Sequence, residues 1–204
     1  MKAFSTLLAA GALLVATSIP ALAARTDLVL GVVLEPPHLD PTAGAAGAID
    51  EIVYANVFEG LTRIDETGSV QPALAESWTI SPDEKVYTFT LHSGVKFHDG
   101  TSFDAEDVKF SLDRARADDS TNAQKALFAA VDSVEAVDPA TVKVTLKQPQ
   151  GSFLYNMGWG DAVIVAPESA ATNKEKPIGT GPFKFDQWAR GSTIALVRNP
   201  DYWG

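Results

Sequence analysis

Apolar and polar positions change rhythm several times along the chain, and each change marks an element. Leu28 to Leu34 (LVLGVVL) is a continuous apolar run of strand length, which predicts a strand buried on both faces. Glu35-Pro36-Pro37 ends it, because proline donates no hydrogen bond and constrains the residue before it. Ile49 to Phe58 carries Ile49, Ile52, Val53, Asn56 and Val57 on one stripe and predicts a helix with Gly60 as its stop. Leu61 to Ile64 and Ser69 to Gln71 flank Glu66-Thr67-Gly68 as a hairpin.

Leu74 to Leu112 is the most legible stretch. Ser81-Pro82-Asp83-Glu84 is a turn. Val86 to Leu91 alternates, with Tyr87, Phe89 and Leu91 on one face, as a half-buried strand does. Asp99-Gly100 is a second turn. Asp104 stands at a helix N-cap with Asp107 three residues on, ahead of Val108, Leu112 and Ala115 at helical spacing.

Farther along, Ala123 to Ala130 reads as a short helix. Val131 to Val137 and Thr141 to Leu146 form a hairpin about Asp138-Pro139-Ala140. Phe153 to Met157 reads as a short helix, and Ala162 to Ala166 as a strand ended by Pro167. Phe183 to Trp188 and Thr193 to Arg198 pair across Arg190-Gly191-Ser192. Gly179-Thr180-Gly181-Pro182 is a tight turn into that hairpin. It lacks the Lys-Ser or Lys-Thr and the helix start of a phosphate loop.

At the N-terminus, Lys2, the apolar run Leu7 to Ile19 and Ala21-Leu22-Ala23 have the layout of a cleaved export signal over residues 1–23. With no cysteine the fold cannot lean on disulfides, although an exported compartment would permit them, and a lipid anchor at the cleavage site would need one. With 16 Lys and Arg against 26 Asp and Glu, the net charge of −10 argues against a nucleic-acid partner.

The chemistry of an enzyme is hard to assemble from these residues. The three histidines, His38, His92 and His98, fit no zinc spacing, and no Gly-x-Ser-x-Gly elbow accompanies them. His98-Asp99 reads as turn chemistry, and Asp118-Asp119 lies in a polar loop that would not split acid and base roles. No catalytic residue, metal ligand or cofactor is therefore assigned. A secreted hydrolase and a sugar-binding β-module stand as rivals, the first short of a catalytic constellation and the second at odds with the expected helices. Trp159, in Asn156-Met157-Gly158-Trp159-Gly160-Asp161, is the aromatic best suited to a cleft, since glycines bare its faces. The small-residue loop Thr42 to Ala48 (TAGAAGA) reads either as a connector or as an edge that a ligand's backbone can approach.

Five short matches occur in order: LDP at Leu39 to Pro41, NVFEGL at Asn56 to Leu61, the Leu74 to Leu112 stretch, PIGTGPF at Pro177 to Phe183 and RNPDYW at Arg198 to Trp203. Together they resemble the bacterial family 5 extracellular solute-binding proteins, the peptide and nickel binders of ABC importers. The resemblance implies an α/β fold of the type II periplasmic-binding kind. It implies a discontinuous ligand-facing lobe over residues 24–56 and 172–204 and an inserted α+β subdomain over residues 57–171. It further implies a monomeric periplasmic receptor that captures a small solute, a dipeptide or oligopeptide first, with nickel complexes, opines or sugars as alternatives. Delivery would be to the permease of the inner membrane. Ala45, Ala46 and Gly47 then become the ligand-facing positions, in addition to Trp159 as a cleft residue on its own glycine-flanked pattern. Family members run to more than twice this length, so the chain is expected to be the N-terminal part of a longer binding protein, its Tyr202 and Trp203 left without cover.

Overall fold

The computed structural model describes residues 26–204, so the export signal expected over residues 1–23 lies outside the described residues. The described chain falls into a short unit ending at Val33 and a main unit from Leu34 to Gly204. In the short unit Leu28, Val29, Leu30, Val32 and Val33 are exposed and form no strand, contrary to the expected buried strand. A strand needs a neighbour to take its backbone hydrogen bonds, and no described strand pairs with this run.

Three antiparallel sheets build the main unit. A small hairpin pairs β1 (Thr62–Ile64) with β2 (Val70–Pro72). Its turn is closed by the Asp65 carboxylate, which accepts from the Thr67 and Ser69 amides and from Thr67 Oγ1 and Gln71 Nε2. The central sheet has four strands, β3 (Ala75–Ile80), β4 (Val86–Leu91), β5 (Val131–Asp138) and β6 (Thr141–Leu146), in the order β3-β4-β6-β5. The alternation at Tyr87, Phe89 and Leu91 and at Val142, Val144 and Leu146 puts those side chains on one buried face. Ala75–Ile80, unassigned from sequence because its pattern is mostly polar, is strand because it is the edge beside β4.

Helix α2 (Ala105–Arg116) covers that face with Val108, Leu112 and Ala115. The Glu106 amide donates to Asp104 at 2.8 Å, and the Asp104 amide donates to Asp107 at 2.9 Å, completing the expected capping box. Phe89, Phe128, Phe153 and Met157 fill the core between helix and sheet, the last two from and beside the one-turn helix α3 (Phe153–Asn156). The expected helix at Ala123 to Ala130 is a single 3₁₀ turn, Lys125–Phe128.

A second core gathers Leu39, Ile49, Val53, Val57, Phe58, Val163 and Val165, flanked by Phe185, Trp188, Ile194 and Leu196. The last four come from the hairpin of β7 (Phe183–Ala189) and β8 (Thr193–Arg198). Helix α1 here is shorter and earlier than expected, Gly47–Val53 instead of Ile49 to Phe58. Ala55 turns it off with a φ of 57°, and Asn56 Nδ2 donates back to the Ile52 carbonyl. Gly60 is therefore no helix stop.

The expected strand at Ala162 to Ala166 is also absent as a strand. The run is buried, but it begins in a 3₁₀ turn at Ala162 and its amides find scattered partners: Ile164 N donates to the Glu59 carbonyl and Val165 N to Ser111 Oγ. Only an isolated bridge joins Val163 to Gly60.

Gly179-Thr180-Gly181 is more than a turn. The Gly181 and Phe183 amides donate to the Val57 and Asn56 carbonyls at 3.0 and 2.9 Å, so two backbones lie in direct contact. A Cβ on residue 179 would fall 2.0 Å from the Val57 carbonyl oxygen, and one on residue 181 would fall 2.5 Å from that of Asn56. Gly179→Ala is expected to cost about 3 kcal/mol of stability in urea unfolding, because backbone must move to admit the methyl. Gly47→Ala, with open space around it, is expected to stay within about 0.5 kcal/mol.

Candidate functional site

The loop Pro41 to Gly47 is anchored from below and open above. Asp40, fully buried, accepts from Thr42 N at 2.9 Å and Thr42 Oγ1 at 2.6 Å and pairs with the Arg114 guanidinium at 3.2 Å. Arg114 also donates to Thr42 Oγ1. The Asp40 and Pro41 of the Leu39 to Pro41 match thus pin a 3₁₀ turn, Pro41–Ala43, onto α2. After the turn the chain surfaces: Ala45 and Gly47 are exposed, and Ala46, half-buried, is the N-cap of α1.

Trp159 comes to the same region. The 3₁₀ turn Gly160–Ala162 packs beside Pro41–Ala43, and a Cβ at residue 160 would meet the Asp50 carboxylate of α1 at 2.7 Å. A side chain there would displace the Asp50 carboxylate. Tyr54, at the end of α1, donates its hydroxyl to the Gly158 carbonyl. Trp159 is 40% exposed and packs edge-on with Tyr155 at 6.3 Å between ring centroids. The four sequence-predicted residues therefore lie on two segments that both meet α1, Ala45–Gly47 leading into it and Trp159 between the Gly158 and Gly160 that touch Tyr54 and Asp50. Two concavities of about 150 and 250 Å³ lie elsewhere, one lined by Thr42, Arg114 and Asp119 among others, the second by Lys96, His98 and Lys184 among others.

Two further acids lie on these segments, Asp50 on α1 with its carboxylate against Gly160, and Asp161 in the turn after Trp159. Asp161 is only 8% exposed. Burial, and then the field of Asp50, pushes its carboxyl up to about 6, while burial also raises Asp50. Tyr54 is raised by burial and by Asp50. A lone aspartate within a short helix or a turn carries no signal in a single sequence, so their proximity is visible only once α1 and residues 158–161 are docked.

His98 lies at the other concavity and is a clamp for the glycine loop. Its Nε2–H donates to the Gly181 carbonyl at 3.0 Å, Nδ1 accepts from the Gly179 amide at 3.3 Å, and its own amide donates to the Gly179 carbonyl. That pattern needs the neutral ring. Burial first, and the Lys184 ammonium as well, lower its pKa. Trp78, Trp188 and Trp203 are packing residues: Trp188 is covered by the Arg190 guanidinium at 3.3 Å, and Trp203 lies against His92 at 4.6 Å. The last aromatics are not left bare as expected, since Tyr202 and Trp203 are half-buried and donate to Glu59. Among the described residues no group of three or more His, Cys, Asp and Glu could hold a metal ion, and no helix is long and apolar enough to cross a membrane.

Two stability predictions follow the charges. The folded pKa of His98 is below its unfolded value, so its contribution is full above about pH 6.5 and declines as pH falls below that. His98→Gln should flatten the pH dependence of the thermal midpoint between about pH 6.5 and 5 relative to the parent. Asp161 has the opposite sign: its stabilising share is present below about pH 4 and is lost as pH rises through about 6. Asp161→Asn should therefore raise the midpoint at pH 7.5, by about 2–4 °C for roughly 1 kcal/mol of relieved repulsion, in a calorimetric scan.

Comparison with known proteins places this surface in context. Residues 69–204 match the family described as bacterial extracellular solute-binding proteins, family 5 Middle. The glutathione-binding protein GsiB of Pectobacterium atrosepticum is 37% identical over 202 residues, 97% of this chain and 39% of that protein. Among solved structures, the periplasmic binding protein AgaA in complex with agropinic acid, from A. tumefacien R10, superposes with a TM-score of 0.78 at 33% identity, covering 83% of this chain and 35% of that one. The periplasmic binding protein DppA of Helicobacter pylori, in complex with the peptide STSA, gives 0.72 at 34% identity over 82% and 38%. The chain thus spans less than two-fifths of the length of these relatives.

Proposed function

Because the chain belongs to the bacterial extracellular solute-binding proteins of family 5, we propose that it supplies one ligand-facing surface of a periplasmic receptor for an ABC importer. On this reading residues 1–23 are an export signal, and the receptor takes a small solute, a dipeptide or oligopeptide first, and hands it to the permease. Its fold relatives are binding proteins with α/β architecture of the type II periplasmic kind. The observation that carries the reading is that residues 158–162 dock against Pro41–Ala43 and α1, the segments that flank the exposed Ala45–Gly47 loop, on a chain whose family match covers residues 69–204.

The physics of capture follows from what this surface offers. Small residues at 45–47 leave backbone groups accessible, so an extended solute can lie against them without steric conflict. Trp159 provides a flat apolar wall beside them. The ligand-facing lobe is proposed as discontinuous, residues 24–56 and 172–204, with residues 57–171 as an inserted subdomain. The second core joins Leu39, Ile49 and Val53 with β7 and β8, as that division requires, and it also takes Val57, Phe58, Val163 and Val165 from the proposed subdomain. A second lobe closing over the solute converts weak contact into capture and makes the closed form the one the permease reads.

The test is ligand mapping on the chain by amide chemical shifts, with glutathione and the dipeptide Ala-Phe as probes. A single face without closure is expected to bind at millimolar strength, with saturable shifts at Ala45 to Gly47 and at Trp159. Turnover of either probe, or shifts confined to other surfaces, would contradict the reading.

A further inference from the structure

The Gly179–Gly181 loop is held on one side by backbone and a carboxylate, and on the other by a single titratable ring. From the first side, the Gly181 and Phe183 amides reach the Val57 and Asn56 carbonyls, and Thr180 Oγ1 reaches the Glu59 carboxylate. From the second, His98 makes three contacts. Its amide donates to the Gly179 carbonyl at 2.9 Å, its Nε2–H donates to the Gly181 carbonyl at 3.0 Å, and its Nδ1 accepts from the Gly179 amide at 3.3 Å. Among the described residues the Gly179 amide has no other acceptor. The ring can serve the loop as donor and acceptor at once only while it carries one proton. A second proton, on Nδ1, would aim N–H at N–H and leave the amide of the buried Gly179 without a partner.

We propose that His98 is an acid-released latch: uptake of a second ring proton frees the Gly179–Gly181 loop on that side and thereby loosens its backbone contact with Asn56 and Val57. The ring is within reach of solvent, since His98 is half-buried and lines the cavity of about 250 Å³ with Lys96, Lys184, Asn199 and Asp201. The charges around it come from four places. Lys96 and Asp99 flank it on its own loop. From β7, the Lys184 ammonium donates to the His98 carbonyl at 3.2 Å, and Asp201, after β8, lies 4.0 Å from that ammonium. Glu59 stands behind Thr180 on the far side of the loop. Burial opposes the second proton most, the Gly181 hydrogen bond and Asp99 favour it, and Lys184 opposes it, so the ring's pKa falls below the ordinary histidine value. An opened loop returns the ring to that ordinary value, so opening is favoured as pH falls below about 6.5. The latch stands apart from the receptor reading, because none of its residues is among those proposed to face the solute.

NMR on the chain between about pH 7.5 and 5 reads both halves of the latch, the His98 ring nitrogens and the protection of backbone amides against hydrogen exchange. At pH 7.5 the ring is expected as the Nε2–H tautomer. As it protonates, protection at Gly181 and Phe183, whose acceptors are not His98, should fall by about tenfold with the same midpoint. The β4 and β6 amides should stay within about twofold. In His98→Gln the carboxamide can still donate to one glycine and accept from the other but takes no proton, so the acid step should vanish. Asp107 and Asp161, both raised to about 6, titrate in the same window, but they remain in that variant and would preserve the step if they caused it. Coincidence of ring titration and exchange in the parent keeps the test decisive if the variant folds poorly. An Nδ1–H ring at pH 7.5, a ring still neutral at about pH 5, or a protonated ring with unchanged protection at Gly181 would overturn the latch. So would an equal loss in β4 and β6, or the same acid step in His98→Gln.

Discussion

The contact between the Gly179–Gly181 loop and the Asn56–Val57 backbone is the constraint on which the rest of the main unit depends. Segments more than a hundred residues apart exchange amide-to-carbonyl hydrogen bonds there, at a separation that no Cβ would permit. Glu59 and His98 close the seam from its two ends. The Glu59 carboxylate accepts from Thr180 Oγ1 at 2.8 Å, Tyr202 OH at 2.9 Å and Trp203 Nε1 at 2.9 Å, while its backbone carbonyl accepts from Ile164. Each of these donors would be unsatisfied without it, and the buried Thr180 would suffer most.

That seam explains how a plain loop becomes a presented surface. Fixing Asn56–Phe58 fixes where α1 ends, and Tyr54 and Asp50 then reach the 158–161 turn. Asp40 and Arg114 hold the other end of the same segment to α2. The Ala45–Gly47 loop is thus supported at both ends and free in the middle, as a binding edge requires. Charge is managed unevenly across this frame. Asp40 is neutralised within the protein, whereas neither Asp50 nor Asp161 joins an ion pair among the described residues.

Much of the frame is legible along the chain because local physics writes it. The capping box at Asp104 and Asp107, the alternation in β4 and β6 and the turns that join β5 to β6 and β7 to β8 all require only neighbouring residues. Where partners come from afar, reading fails. Leu28 to Val33 has the composition of a buried strand, but pairing is not a property of composition, and the run is exposed. Ala162 to Ala166 is buried as expected yet gains no ladder, since Glu59 and Ser111 take its amides. Gly60 and Gly179 looked like stops and turns because a glycine is silent about close approach. Ala45 to Gly47 and Trp159 came from a family resemblance and from flanking glycines. Asp50 and Asp161, separated by more than a hundred positions, had no local sign.

Amide hydrogen exchange in Glu59→Gln measures the seam most directly. The carboxamide keeps an acceptor but cannot serve three donors with charge-assisted strength. Protection should fall by about tenfold or more at Gly181, Phe183 and Ile164, while the β4 and β6 amides stay within about twofold of the parent. Unchanged protection at Gly181 and Phe183, or an equal loss across the central sheet, would contradict the view that this one junction organises the surface.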